Sequence, residues 1–194
     1  MTLPTPEPIE RWIIVFTGFL QEGRLSGLEK IEHAIHQQCN CDSTRVILKS
    51  WQDSPGAVAS RIWNRQPEGH PPAIVIIGFS YGGFTAVLLA RELGKRGLKI
   101  ETMLLIDPVW RWLAELPSVL SLGSWWEINV PKTVRTLFAW FQKVDRPRGH
   151  RLIVDENHTL YFPKTLKRTH NQMDDAEEVY KKALLVACPE RKTA

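Results

Sequence analysis

Three short, strongly apolar runs constrain this chain most: Trp12–Phe16 and Ala73–Ile77, which are unbroken, and Ile100–Ile106, which only Glu101 and Thr102 interrupt. Each is rich in β-branched or aromatic side chains and too short for an ordinary helix. A strand that is apolar on both faces must be covered on both faces, which is the situation of a strand inside a parallel sheet. The segments between the runs supply the covers. From Ser26 to Gln38, Leu28, Ile31, Ala34 and Ile35 recur at helical spacing. Thr44–Leu48 is another short strand. Asp53-Ser54-Pro55 then opens a helix through Val58, Ile62 and Trp63, with Ser54 as N-cap and Pro55 at the first helical position. Pro71-Pro72 breaks the chain before the next strand, and a helix over Phe84–Leu93 is closed by Gly94 and Gly97. Strands alternating with helices across short turns specify an α/β fold, a mostly parallel sheet flanked by helices with right-handed crossovers.

The alternation lapses after Asp107. Val109–Trp126 is rich in Trp and Leu and interrupted by Pro117 and Gly123. Pro131–Val144 is predicted as an amphipathic helix with Val134, Leu137, Phe138 and Phe141 on one face. Arg151–Val154 reads as a last, shorter strand and Asp174–Val186 as a closing helix whose acidic start suits the helix dipole. No repeat or composition shift divides residues 1–194, a length suited to one domain.

Composition narrows the partners. The formal charge of +4 is spread along the chain with no dense basic run, so a solvated surface is expected and no nucleic acid. Cys39, Cys41 and Cys188 make an odd number without framework spacing, which argues against a disulfide scaffold and for a reducing compartment. Residues 1–11 lack a basic stretch followed by an apolar one, and no apolar run approaches the ~20 residues that cross a bilayer. A cytoplasmic protein without a transmembrane segment is the expectation.

The chemistry gathers at Gly78-Phe79-Ser80-Tyr81-Gly82. A buried strand runs straight into this GxSxG and a helix runs straight out, so Ser80 sits on a sharp strand-to-helix turn where small neighbours are needed. A serine hydroxyl is a poor nucleophile unless a base takes its proton and an acid orients that base. Asp107 ends the next strand and so reaches the same sheet edge as Ser80; Asp155 is the competing acid. His158, just after the last predicted strand, is the favoured base, and His170, just before the closing helix, is the alternative. His33, His36, His70 and His150 read as helix-surface or loop residues. The oxyanion donors are the N–H groups of Tyr81, after the nucleophile, and Phe19, in the turn Thr17-Gly18-Phe19 after the first strand. The excursion over 109–130 is a candidate lid or acyl-binding wall, with ordinary satellite core as the equal alternative. No phosphate loop, dinucleotide fingerprint or metal-ligand spacing is present, so no cofactor and no metal are implied.

Together these residues resemble the α/β-hydrolase superfamily, and within it compact lipase- and esterase-like members. The resemblance covers most of the chain from Trp12 onward. It rests on Thr17-Gly18-Phe19, the elbow at Ser80, Leu105-Ile106-Asp107-Pro108, Val130–Arg135 leading into Trp140-Phe141-Gln142, and Asn157-His158-Thr159 followed by His170. Of these, the elbow is the motif specific to the superfamily. The segment between Val144 and His158 is short, which implies a reduced version of the fold. The resemblance implies a serine hydrolase that cleaves a carboxylic ester, or a thioester, through an acyl-enzyme on Ser80. His158 would be the general base, Asp107 would hold its tautomer, and a small-molecule acyl ester would be the partner. The other class to weigh is a catalytically silent protein of the same fold that binds an acyl ligand or a protein partner.

Overall fold

The computed structural model describes residues 10–19, 21, 26–39, 43–66, 69–110 and 127–189. Its first half follows the apolar pattern. β1 (Arg11–Phe16), α1 (Gly27–Gln38), β2 (Thr44–Lys49), α2 (Pro55–Trp63), β3 (Ala73–Phe79), α3 (Tyr81–Lys95) and β4 (Ile100–Ile106) succeed one another in that order. The helix starts are where the capping residues put them. The Ser26 hydroxyl accepts from the Glu29 N–H at 3.3 Å while the Glu29 carboxylate accepts from the Ser26 N–H at 3.1 Å, a capping box. Ser54 caps α2 through the Ala57 N–H at 3.3 Å, with Pro55 opening the helix.

The second half departs from expectation. It contains β5 (Glu127–Asn129), β6 (Val134–Gln142), β7 (Arg151–Ile153), β8 (Leu160–Leu166), a single 3-10 turn (His170–Gln172) and α4 (Glu177–Ala187). The amphipathic helix predicted over Pro131–Val144 is the strand β6, paired in parallel with β4 on one side and β8 on the other. Leu137, Ala139 and Phe141 pack into one core cluster, Phe138 and Trp140 into the other. That is a period of two with both faces covered. The run of apolar residues this requires also contains helix-spaced subsets, which is why spacing alone misled. The predicted closing strand is only Arg151–Ile153, and it pairs with β5 in a separate two-stranded ribbon. The last strand of the main sheet is β8.

The main sheet has six parallel strands in the order β2-β1-β3-β4-β6-β8. Side chains alternate between two apolar layers. Trp12, Ile14, Ile74 and Ile76 pack toward α2 and α3, whereas Ile13, Val15, Val75 and Ile77 pack toward α1 and α4. Fully burying one such side chain is worth roughly 1.5–3 kcal/mol relative to leaving it exposed. Because every strand runs the same way, all C-terminal ends share one edge. The strand order reverses at β1, whose neighbours are β2 and β3, and the turns after β1 and β3 diverge there into the crevice where open α/β sheets carry their sites.

Cys39 and Cys188, at the C-terminal ends of α1 and α4, are joined in a disulfide with Cα atoms 5.7 Å apart. The expectation from sequence was against a disulfide scaffold and did not pick out this single pair, and the cysteine argument for a reducing compartment loses its basis. The two residues are 149 positions apart and meet only because α1 and α4 cover the same face of the sheet. No helix among the described residues is long and apolar enough to cross a membrane. Of the proposed lid, residues 111–126 lie outside the described residues.

Candidate active site

β3 delivers Ser80 and α3 begins immediately after it. The turn is too tight for ordinary side chains: a Cβ on Gly78 would lie 2.6 Å from the Gly82 carbonyl oxygen, and one on Gly82 would lie 2.3 Å from that of Thr17. Ser80 itself adopts φ 55° and ψ −124°, a conformation disfavoured for a residue with a Cβ. Backbone bonds hold it there. Its N–H donates to the Ile106 carbonyl at 3.0 Å, and its carbonyl accepts from Val109 at 2.9 Å and from Gly83 at 3.0 Å. Ser80 occupies the N-cap position of α3, yet its hydroxyl makes no capping bond. It points elsewhere.

Its partner is His170, whose Nε2 lies 2.9 Å from the Ser80 Oγ. On the far side of the ring, Nδ1 lies 2.6 Å from Asp107 Oδ2. All three residues are buried, and the Phe79 ring stacks on the imidazole at 4.9 Å between centroids. Asp107 ends β4 at φ 42°, its N–H bonded to the Trp140 carbonyl at 2.7 Å.

The acceptor capacity of the Asp107 carboxylate is filled. Oδ1 accepts from the N–H groups of Gly149 at 2.9 Å and Gln142 at 3.2 Å; Oδ2 accepts from Gln142 Nε2 at 3.1 Å as well as from His170. With donors on every side, both Asp107 oxygens act as acceptors, which places the His170 proton on Nδ1. Nε2 is then left with a lone pair toward the serine hydroxyl. Gln142 is itself clamped: its carbonyl oxygen accepts from Val144 at 2.7 Å and Asp145 at 3.0 Å, and its amide also donates to the Pro147 carbonyl at 2.8 Å. Asp145 in turn accepts the His170 N–H at 2.7 Å. The loop after β6 thus sets both the acid and the histidine. From sequence, Gln142 stands only within Trp140-Phe141-Gln142 with no role assigned and Gly149 was not singled out, although a polar residue closing the apolar run Leu137–Phe141 is a visible signal.

Tyr81 is the first residue of α3, directly after Ser80, so its N–H has no intrahelical acceptor. Gly18, which precedes Phe19, lies close to Ser80: a Cβ there would sit 3.1 Å from the Ser80 Cβ. The N–H groups of Tyr81 and Phe19 are the two amides expected from the sequence as donors.

His158 is elsewhere. It precedes β8, where the neighbouring Thr159 hydroxyl donates to the Val134 carbonyl at the start of β6. His170 follows β8. Seven residues of strand, roughly 20 Å at ~3.3 Å per residue, separate the two sheet edges. His158 Nδ1 instead contacts Asp155 Oδ2 at 3.1 Å, with its side chain 52% exposed against 6% for His170. Asp155 also meets Lys132 at 2.9 Å, and these two contacts hold its carboxyl low, at about 2. The competing acid and the favoured base therefore pair with each other, away from Ser80. His150 lies nearer: burial pushes its imidazole down, and its Nδ1 accepts the Trp110 N–H at 3.1 Å.

A parallel sheet ordered this way matches known structures over nearly the whole length of the chain. A protein from Agrobacterium vitis S4, provisionally called a hydrolase, superposes with a TM-score of 0.56 at 11% identity, covering 93% of this chain and 89% of that one. The fold is a reduced α/β-hydrolase fold. Weaker matches are the NocB thioesterase domain of the nocardicin cluster (TM-score 0.44, 18% identity, 92% of each chain) and a cutinase-like protein from Cryptococcus sp. (0.46, 10%, 95% of this chain and 96% of that one). No family model and no curated protein matches the sequence. Among the described residues no cluster of His, Cys, Asp or Glu could hold a metal ion.

Proposed function

We propose that the chain is a serine hydrolase that cleaves a carboxylic ester or thioester of a small molecule through an acyl-enzyme on Ser80. One observation carries the reading: a buried, continuous path from Ser80 Oγ through His170 to Asp107, at 2.9 and 2.6 Å. His170 takes the role that the sequence gave to His158. As Ser80 Oγ attacks the acyl carbon, its proton passes to His170 Nε2, and the Asp107 carboxylate stabilises the imidazolium. The carbonyl oxygen becomes an oxyanion, stabilised by the N–H groups of Tyr81 and Phe19 and by the N-terminal dipole of α3. Collapse of the tetrahedral species breaks the bond to the alcohol or thiol, which leaves with the proton from His170. Water, deprotonated by the same nitrogen, then releases the acid and restores Ser80. The excursion over 109–130 belongs to this proposal as the lid or acyl wall.

Hydrolysis of a panel of p-nitrophenyl esters and acyl thioesters tests it. Ser80→Ala should reduce turnover by orders of magnitude, ~10⁶ where the nucleophile of a serine hydrolase has been removed. Full activity in that variant would refute the assignment. A folded wild-type protein that turns over none of the panel and binds acyl ligands would establish the silent binder instead.

A further inference from the structure

The turn that carries Phe19 is tied to the segment that carries His170, and Gln21 is the tie. Its carboxamide oxygen accepts the Gly18 N–H at 2.9 Å, and its amide nitrogen donates to Asp174 Oδ2 at 2.7 Å. Only one orientation of the amide satisfies both contacts, since a backbone N–H needs an acceptor and a carboxylate needs a donor. Asp174 stands four residues beyond His170. Its Oδ2 also accepts the Gly27 N–H at 3.0 Å, at the first turn of α1. That junction is close-packed: a Cβ on Gly27 would lie 2.2 Å from the Asp174 carbonyl oxygen. Next to it, Asp175 pairs with Lys30 at 2.7 Å.

The bonds select which amide is free. With its N–H held by Gln21, Gly18 is withdrawn as an oxyanion donor, and the following N–H, that of Phe19, has no acceptor among the described residues. A Cβ on Gly18 would lie 2.9 Å from the Phe79 ring and 3.1 Å from the Ser80 Cβ, so Gly18 packs close to both and a small rotation of that peptide would move the Phe19 N–H relative to Ser80. An oxyanion donor is useful only when it is held in place before the reaction. Asp174 is itself a costly anchor. It is 2% exposed, its Oδ1 has no partner, and burial pushes its carboxyl up. What holds this buried carboxyl is the other oxygen, Oδ2, through Gln21 and Gly27.

We propose that Gln21 and Asp174 are positioning residues that lock the Phe19 oxyanion donor to the segment bearing the general base. This rests on the hydrolase reading above. Neither residue touches the reacting atoms, so the expected signature is a fall in kcat with little change in KM.

The test is steady-state kinetics of Gln21→Ala, Gln21→Glu, Asp174→Ala and Asp174→Asn, each checked for folding by circular dichroism and thermal melting. Gln21→Ala should lose ~10–100-fold in kcat, less than the ~10²–10³ for deleting an oxyanion donor outright, because the donor is misplaced rather than removed. Asp174→Asn, which keeps an acceptor, should lose less than Asp174→Ala. Gln21→Glu provides the readout that lost stability would not give. When protonated, its carboxyl can accept from Gly18 and donate to Asp174 as the amide does; when ionised, it opposes Asp174. The charges facing it there are Asp174, Asp175 and Lys30. Its kcat relative to wild type should therefore rise as pH falls. A flat ratio across pH, or wild-type kcat in Gln21→Ala, would overturn the clasp. Wild-type protein with no turnover would instead overturn the hydrolase reading, so the two failures are distinct.

Discussion

Among the described residues, two pairs bring a histidine Nδ1 to an aspartate Oδ2, and their surroundings separate them. At His170–Asp107 the contact is 2.6 Å, the carboxylate is inaccessible, and three further donors from Gln142 and Gly149 converge on it. At His158–Asp155 the contact is 3.1 Å, the other partners are Lys132 and the backbone N–H of Asn157, and both side chains are solvent-accessible. Charges in contact at a surface are screened and mobile, whereas a buried carboxylate with every lone pair engaged is an oriented anion. Both histidines flank the same strand, β8, at opposite ends. Distance from Ser80 and burial, not the His–Asp contact itself, decide which pair can do chemistry.

Mutating the two histidines should break the symmetry most visibly. His170→Ala is expected to reduce ester turnover by ~10⁶, as loss of the base does where the triad acts as a unit. His158→Ala, an exposed change, should stay within about twofold of wild type. Equal losses would mean that the burial argument is wrong. The acids come next. Asp107→Asn should cost ~10⁴ in kcat, the loss seen when a triad acid can no longer hold the histidine tautomer, while Asp155→Asn changes turnover little. Gln142→Leu should destabilise the fold by roughly 1–3 kcal/mol, because Asp107 and the loop amides of Val144 and Asp145 lose their partner, and chemical denaturation would measure it.

The smallest effect is a titration. The Asp155 carboxyl sits at about 2 because it bonds to Lys132 and His158. A carboxyl depressed on folding stabilises the fold above its unfolded pKa, and that contribution is lost as pH falls toward 2. Lys132→Ala should move the Asp155 titration, followed by NMR, up toward the ordinary carboxylate range, with activity at neutral pH unchanged. An unmoved titration would show that the ion pair does not form in solution.

Ser80 and Asp107 were legible in the sequence because each ends a strand buried on both faces, and a strand end fixes the sheet edge to which a side chain belongs. The placement of His170 beside them was not, since it depends on β8. That strand, Leu-Tyr-Phe-Pro-Lys-Thr-Leu, is mostly exposed and contains Pro163, which an edge strand tolerates but which hides it from pattern reading. Without β8, His158 appears to follow the last strand; with it, His158 stands before one and His170 after it. β6 was misread for a related reason, since burial on both faces removes the polar alternation that marks a strand. The Cys39–Cys188 bond was illegible because it depends on two helices sharing one face of the sheet.

The most direct test of the account is the rate at which a fluorophosphonate probe labels Ser80, measured by intact mass and peptide mapping in the wild type and in both histidine variants. A single adduct on Ser80 that forms as fast in His158→Ala as in wild type, and orders of magnitude more slowly in folded His170→Ala, is the predicted result. Labelling that is unaffected by loss of His170, or that depends on His158, would contradict it.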